Sequence, residues 1–335
     1  MANPATTKER LLSPLKSLIA AAALSSMTMM AQAQVVTIAS NPQGSFYYSV
    51  GAAIAGLLQQ KGGMVARVQP MSGSTAYAPL VNRGSMDFGL LNSSDIGYAY
   101  TGTETFQGHP NADIRLVGAL FPIKVGIAVA SDSPYKSIKD LKGARMPSKF
   151  TSQSVIAITQ DAMLAMGGLS IADMKPFPVA DYTKGMAALG EGKVDAAQFC
   201  LGCGTAQEAN VALASHGGLR FLPLPDGPGA LAAMRKVFPT GYTEVFKPAP
   251  AAPGVLAPTL GMVFSGFMIT SKHASDDLVY KTTKLIYENK PTLANASPMM
   301  KAFDPKMMDE ASFVPYHPGA EKFYREVGEW PPKKR

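Results

Sequence analysis

The sequence predicts a mixed α/β fold in which helices cover both faces of a sheet. Short β-type runs alternate with helical runs along most of the 335 residues, and this alternation is typical of open α/β sheets. Hydrophobic residues make up 47% of the chain, which is enough to bury a large core and to form two domains. Small polar residues follow several predicted strands, at the strand end where ligands bind in such sheets.

The first 33 residues have the pattern of a secretory signal peptide. Lys8 and Arg10 precede a short apolar run at 18–30, and the segment ends in Ala31-Gln-Ala33. This pattern predicts cleavage after Ala33. The apolar run is too short and too rich in Ser and Thr for a transmembrane anchor. We therefore expect a periplasmic protein without direct membrane insertion after signal cleavage.

The charge pattern excludes one class of partner and favours another. The formal net charge is +7, and the terminal Lys333, Lys334 and Arg335 supply three of the positive charges. The other charges are scattered, without the basic stripes that nucleic-acid binding would need. We expect no nucleic-acid partner and a small anionic ligand, which suits a mildly basic exported protein.

The first predicted unit is a strand, a turn and a helix. A β-type run at 35–39 leads into the turn 41–51, which is rich in Gly, Ser and aromatic residues, and a small-residue helical run follows at 52–60. A helix that starts directly after a strand aims free N–H groups and the positive end of its dipole at a ligand. The sequence therefore predicts one wall of a binding site at this turn.

The later elements continue the alternation. Pro79 must lie near the first turn of its helix or kink it. Phe121-Pro122 is expected to separate two strands. The remaining predicted strands are 65–69, 87–91, 116–120, 124–130, 144–146, 176–179, 194–199 and 262–270. The remaining predicted helical runs are 76–84, 95–100, 137–143, 154–167, 182–189 (with Asp181 as N-cap), 205–215 and 276–289, and 247–258 is a Pro/Ala-rich loop.

No catalytic constellation is apparent. The four histidines have neither metal-ligand spacing nor a G-x-S-x-G or H-E-x-x-H context. We therefore expect surface or turn roles for them, and a protein that is not an enzyme and needs neither cofactor nor metal. These histidines are His109, His216, His273 and His317.

The pair Cys200-Leu-Gly-Cys203 is the one redox-like motif. It lies between a predicted strand and a helical run, as a thioredoxin-type C-x-x-C would. That chemistry needs a compact fold of its own, whereas this pair lies midway through a long α/β array. In an oxidising compartment the favoured interpretation is a local disulfide. A redox role and a role in lining the ligand cleft remain open.

Polar residues at helix starts, surrounded by aromatic side chains, indicate a small-molecule site without a nucleophile. For any one Ser, Thr or Asn, a role as a helix cap is the better explanation, but the set together favours binding. The candidate ligand-binding residues are Gln43, Ser45, Phe46, Tyr47, Tyr48, Ser72, Ser74, Asn92, Ser93, Asp95, Lys149, Thr151, Ser152 and Tyr182.

Two motifs at the ends of the mature chain carry a family resemblance. Residues 44–51 read G-x-x-Y-Y-x-x-G, and residues 317–324 read H-P-G-A-x-x-F-Y. With the pieces at 68–74, 87–95, 141–143, 193–199 and 277–284 in this order, the mature chain resembles the TAXI family of solute-binding proteins. These proteins are the extracytoplasmic subunits of TRAP transporters.

The resemblance implies a type II periplasmic-binding-protein fold, with two α/β lobes joined by a two-segment hinge and a ligand cleft between them. Residues 34–121 and 271–335 would form lobe 1, and 122–270 lobe 2, with hinge segments near Phe121-Pro122 and Thr270. The resemblance also implies a sodium-coupled TRAP membrane subunit as partner and an organic acid as ligand.

One departure from the family pattern affects the ligand. Relatives tend to carry a Gly-Ser-Gly-Thr-like loop at the start of the second lobe's helix, whereas this chain has 148–154 with Lys149 and Phe150. Lys149 offers a charge partner for a carboxylate. Three alternatives remain: an exported thiol-based enzyme at Cys200/Cys203, a binding protein of an ABC importer, and a sensor.

Overall fold

The computed structural model describes residues 35–151 and 153–333. The predicted signal peptide, its cleavage site and Ser152 lie outside the described residues. The strands are β1 (Val35–Ser40), β2 (Val65–Pro70), β3 (Phe88–Asn92), β4 (Ile114–Ala130), β5 (Arg145–Lys149), β6 (Lys175–Val179), β7 (Ala196–Cys200), β8 (Leu219–Phe221), β9 (Tyr242–Phe246) and β10 (Thr259–Ser271).

Helices follow most of the strands. The α-helices are α1 (Phe46–Gly62), α2 (Ser74–Asn82), α3 (Ser93–Thr101), α4 (Ser154–Met166), α5 (Tyr182–Gly190), α6 (Gly204–Ala212), α7 (Pro228–Val237), α8 (Asp276–Glu288), α9 (Lys290–Ala296) and α10 (Pro318–Glu326). Short 3-10 helices lie at Glu104–Phe106, Ile138–Leu141, Ile171–Asp173, Ala214–His216, Pro298–Ala302 and Pro305–Met307.

The main sheet has two halves that share its two longest strands. Its order is β2-β1-β3-β10-β4-β7, with β8 on β4 and β9 on β10. Residues 266–270 of β10 pair with β3, whereas residues 259–263 pair with β9. Residues 125–129 of β4 pair with β7. Each long strand therefore belongs to the first half at one end and to the second half at the other.

The two long strands cross from one half to the other at the same level. Ser265 lies opposite Pro122 and Gly266 opposite Phe121. The phenyl ring of Phe121 occupies the space over Gly266, where an added Cβ would lie 2.8 Å from the ring. The predicted break at Phe121-Pro122 is therefore wrong, because a glycine opposite makes room for the ring and β4 continues through the proline.

The first half contains β1, β2, β3 and the helices that follow them. β1 and β3 are parallel, with Ile38 opposite Phe88. The Ser45 hydroxyl accepts a hydrogen bond from the Tyr48 N–H at 3.2 Å and caps α1. The helix therefore begins at Phe46, and the prediction of a turn up to residue 51 is wrong because this N-cap starts the helix inside the predicted turn.

The second half repeats this arrangement with β5, β6, β7 and their helices. β5 and β6 are parallel. β7 begins beside β5, because the Asp195 N–H donates to the Arg145 carbonyl at 2.9 Å. The predicted N-cap of α5 is confirmed, since Asp181 accepts a hydrogen bond from the Lys184 N–H at 2.9 Å.

The chain end packs back onto the first half. The hydroxyl of Tyr324 on α10 donates to the Val117 carbonyl of β4 at 2.7 Å. His317 is fully buried and caps α10 by accepting from the Gly319 N–H at 3.1 Å, so of the two predicted roles, surface or turn, the surface role is wrong for this residue. Burial lowers the pKa of His317. The other three histidines are exposed, as predicted.

None of the helices in residues 35–151 and 153–333 combines the length and apolar composition needed to cross a membrane. Within the same residues, no group of three or more His, Cys, Asp or Glu side chains is placed to hold a metal ion.

Candidate ligand-binding edges

The loops that follow β1, β2 and β3 meet at one edge of the sheet, which we call the first edge (residues 41–45, 71–73 and 92–93). The Met71 N–H donates to the Ser40 carbonyl at 2.9 Å and holds the first two loops together. The Tyr77 hydroxyl donates to the Leu90 carbonyl at 2.5 Å and lies 3.4 Å from the Asn41 side-chain oxygen. Parallel strands thus bring their carboxyl ends, and the helix starts that follow, to one place.

Several predicted first-edge residues have a structural task. Ser45 caps α1. The Asn92 amide oxygen caps α3 by accepting from the Ser94 and Asp95 N–H groups at 3.0 and 2.9 Å. Gln43 and Ser72 are exposed, and the Gln43 side chain donates to the Tyr48 hydroxyl at 3.3 Å.

Aromatic rings connect the first edge to the long strand β4. Phe46 and Tyr47 lie with their ring centroids 4.4 Å apart, and each lies 6.0 Å from the ring of Phe121. The Tyr47 side chain is only 5% exposed. Its hydroxyl makes no hydrogen bond of good geometry, although the Asn92 side chain lies near it.

A buried carboxyl group lies near the Tyr47 hydroxyl. Asp95 is 4% exposed, and the side chains of Ser74 and Asn92 interact with its carboxyl group. Burial raises the pKa of Asp95 to about 6, against the lowering effect of these two neighbours. Burial likewise raises the pKa of Tyr47 and of Tyr77, and the Asp95 charge adds to both shifts.

The loops that follow β5, β6 and β7 meet at an equivalent second edge (residues 149–151, 153, 180–181 and 201–203). Lys149 and Phe150 have φ angles of 67° and 42°, a conformation that bulky residues rarely adopt. This sharp turn directs Phe150 into the interior, where it is 2% exposed, and leaves Lys149 and Thr151 exposed.

Tyr182 ties the three loops of the second edge together. Its N–H donates to the Gln153 side-chain oxygen at 3.0 Å, and its hydroxyl accepts a hydrogen bond from the Cys200 N–H. Cys200 and Cys203 form a disulfide, with their Cα atoms 5.7 Å apart. The role of Gln153 was missed by the sequence analysis, because a glutamine before a helix carries no specific signal.

The second half contacts the first edge at Thr240, which lies between α7 and β9. The Thr240 hydroxyl lies 2.8 Å from the Ser93 hydroxyl and 2.9 Å from the Ser94 hydroxyl. Ser93 was predicted from its place at a helix start. Thr240 was not predicted, because it lies in a loop from a helix to a strand, and the prediction considered only loops that follow strands.

Two surface recesses lie away from the predicted residues. One of about 340 Å³ lies at the crossing of the long strands and is lined by Phe121, Pro122, Tyr242, Glu244 and Asp304, among others. The other, of about 650 Å³, follows the Pro/Ala-rich loop. Among the described residues, the predicted site residues line neither recess. The predicted residues therefore lie outside both of these recesses.

Residues 38–328, most of the chain, match the NMT1-like family. The chain belongs to the NMT1-like family. Solved structures with the same fold include a TctC solute-binding protein from Polaromonas, with 14% identity, coverage of 81% of this chain and 90% of that chain, and a TM-score of 0.51. PhnD1 from Prochlorococcus marinus, in complex with methylphosphonate, has 12% identity, coverage of 88% and 99%, and a TM-score of 0.53.

A binding-protein component of an ABC phosphonate transporter from Pseudomonas aeruginosa is also similar, with 9% identity, coverage of 80% and 79%, and a TM-score of 0.52. At these identities the likeness establishes the fold. This NMT1-like protein has the predicted α/β fold of periplasmic binding proteins, with two lobes.

Proposed function

We propose that this NMT1-like protein is an extracytoplasmic solute-binding protein that captures a small anionic solute, a carboxylate or organic acid, between its two edges. The observation that carries the proposal is the pairing of two edges, each built from three strand-end loops, on either side of the shared strands β4 and β10. Two lobes that share two strands can close on a solute by bending at those strands.

The chemistry of the edges supports an anion. α1, α3 and α6 begin at the edges, with Ser45, Asn92 and Cys203 at their N-cap positions. Free N–H groups at helix starts bind negative charge. Lys149, exposed on the second edge, adds a cation. Two of the similar structures are named for phosphonate binding or transport, so a phosphonate belongs among the anions to be tested.

The lobe boundaries belong to the same proposal. Residues 34–121 with 271–335 form lobe 1 and 122–270 form lobe 2. The pairing of β10 changes partner around Ser265 and Gly266, which supports a bending point before Thr270. In the same proposal, cleavage of the signal peptide after Ala33 releases the protein into the periplasm.

The membrane partner is a TRAP-type, sodium-coupled permease, on the strength of the resemblance of residues 44–51 and 317–324 to TAXI proteins. An ABC importer is the second candidate, because a similar structure is named as a component of an ABC phosphonate transporter. Uptake by proteoliposomes that hold the permease should require a sodium gradient. A requirement for ATP instead would assign the protein to an ABC importer.

A thermal-shift screen of residues 34–335 tests solute capture. The panel should hold acetate, lactate, pyruvate, 2-oxoglutarate and methylphosphonate, with neutral glucose as a control. A bound anion at a hundredfold excess over its Kd should stabilise the fold by about 2.7 kcal/mol. If no anion raises the melting temperature, the proposal of an anionic solute fails.

The thiol-based alternative has its own test. The double variant Cys200→Ser/Cys203→Ser removes both sulfurs, which are paired in the structure. We expect it to keep solute binding, since Tyr182 still receives the Cys200 backbone N–H. Loss of a thiol-dependent turnover in this variant would instead support an enzyme.

A further inference from the structure

The first edge, taken with the helix turns that start from it, contains an acidic side chain and no basic one. Its loops, and the first four residues of α1, α2 and α3, hold no Lys, Arg or His. Asp95, in the first turn of α3, is the acidic residue there, and its side chain is 4% exposed. An anionic solute on this edge would therefore lie next to a buried carboxyl group that has no ion-pair partner within the edge.

The groups that face Asp95 come from three helices. Tyr47 lies on α1, Tyr77 with Ser74 on α2, and Tyr98 on α3 itself. The phenols keep their protons at neutral pH, because burial raises their pKa, in the case of Tyr98 to about 12.

Glu104 is a further acidic neighbour, since its charge acts on Tyr98. None of these groups supplies a positive charge that would neutralise an ionised Asp95. Asp95 is accordingly the member of the cluster whose charge can change in the neutral range.

The two protonation states of Asp95 have opposite effects on an anion. As a carboxylate it accepts hydrogen bonds only, and it repels a second negative charge more strongly in a buried site than in water. As a neutral acid it carries an O–H donor. The Tyr47 hydroxyl, buried without a hydrogen bond of good geometry, is a second donor beside it. A neutral Asp95 turns the cluster into an anion acceptor.

We propose that the first edge holds an anionic solute only when Asp95 is protonated, so that each solute captured takes up one proton. The inference rests on the proposed function. The proton comes from solvent and stays on the Asp95 carboxyl oxygen while the solute remains an anion. Release of the solute returns the proton. Asp95 thereby selects the solute by charge and makes capture depend on pH.

Isothermal titration calorimetry with lactate, pyruvate and 2-oxoglutarate tests the coupling. Their carboxyl groups ionise at about pH 4, so these probes stay anionic between about pH 6 and 8. At pH values above the pKa of Asp95, the Kd should increase with pH by a factor that approaches about tenfold per pH unit. At pH 8, where free Asp95 is ionised, two buffers of different ionisation enthalpy should report uptake of about one proton per solute. In Asp95→Asn the Kd should not change with pH and no proton should be taken up.

Asp161→Asn is the matched control. Asp161 lies on α4, accepts from the Ile171 N–H at 2.8 Å, and burial raises its pKa too, but it belongs to neither edge. This variant should keep the wild-type pH dependence. If Asp95→Asn does not fold, the pH profile and the buffer comparison of the wild-type protein still show whether solute capture takes up a proton.

Three results would overturn the inference, and they bear differently on the proposed function. A Kd that is independent of pH leaves anion capture intact and excludes the proton. A Kd that falls as pH rises shows an ionised Asp95 that holds a cation or donor of the solute. If no probe or other anion binds at any pH, the proposed function fails as well.

Discussion

At the scale of single residues, Asp95 is a buried carboxyl group whose ionised form costs stability. Burial disfavours that form more than the hydrogen bonds from Ser74 and Asn92 favour it. Residues that cost stability and lie at a candidate site are functional candidates on physical grounds. The cost is measurable.

Asp95→Asn should stabilise the protein at neutral pH. The pKa of Asp95 is about 6 in the fold and 3.8 as a free side chain, so the folded state holds the proton more tightly and loses stability as pH rises from about 4 to 6. The two-unit difference corresponds to about 3 kcal/mol at pH 8. An amide of equal size removes this penalty. Urea denaturation should show a gain of up to about 3 kcal/mol at pH 8 that disappears below about pH 4.

The comparison variant is Asp113→Asn. Asp113 is paired with Lys272 and His273, which hold the pKa of its carboxyl group below the usual value. Its effect should have the opposite sign, a loss at neutral pH. A uniform effect of Asp95→Asn across the pH range would show that the carboxyl group is not buried in its neutral form.

At the scale of elements, the crossing of β4 and β10 depends on Gly266. Gly266→Ala would place a Cβ 2.8 Å from the Phe121 ring, in the middle of the paired strands. We expect a loss of about 1–3 kcal/mol, as for other overpacked core sites. Gly56→Ala is the control, because its Cβ meets nothing within 4 Å on α1 and should stabilise the helix by about 0.5–1 kcal/mol. Equal denaturation midpoints for Gly266→Ala and wild type would contradict this account.

The same elements show what the sequence could and could not predict. Strand-turn-helix units and the N-cap of α5 follow from local patterns, and the structure contains them. The continuity of β4 through Pro122 could not be foreseen, because the space for the Phe121 ring comes from a glycine about 145 residues later. For the same reason Thr240 was missed, since its contact with Ser93 depends on how the halves meet.

At the scale of the whole molecule, uncharged hydroxyl groups link the second half to the first edge. Thr240 links the second half to the start of α3 through Ser93 and Ser94. Each neutral hydrogen bond of this kind contributes about 0.5–1.5 kcal/mol. Contacts of this size favour a closed arrangement of the two halves but are too weak to hold every molecule closed. A solute that binds the closed form more tightly can then shift the equilibrium between open and closed molecules.

Thr240→Val should weaken closure while keeping the shape of the side chain. Losing both hydroxyl contacts raises the population of open molecules, and solute affinity falls by the same fraction as the closed population. Small-angle scattering of the solute-free variant should give a larger radius of gyration than wild type, and saturating solute should restore the wild-type value. Thr243→Val on β9, where the described structure shows no side-chain hydrogen bond, should change neither quantity. An unchanged radius of gyration in Thr240→Val would mean that the long strands alone hold the two halves together. The hydroxyl contacts would then be a result of closure and would not stabilise it.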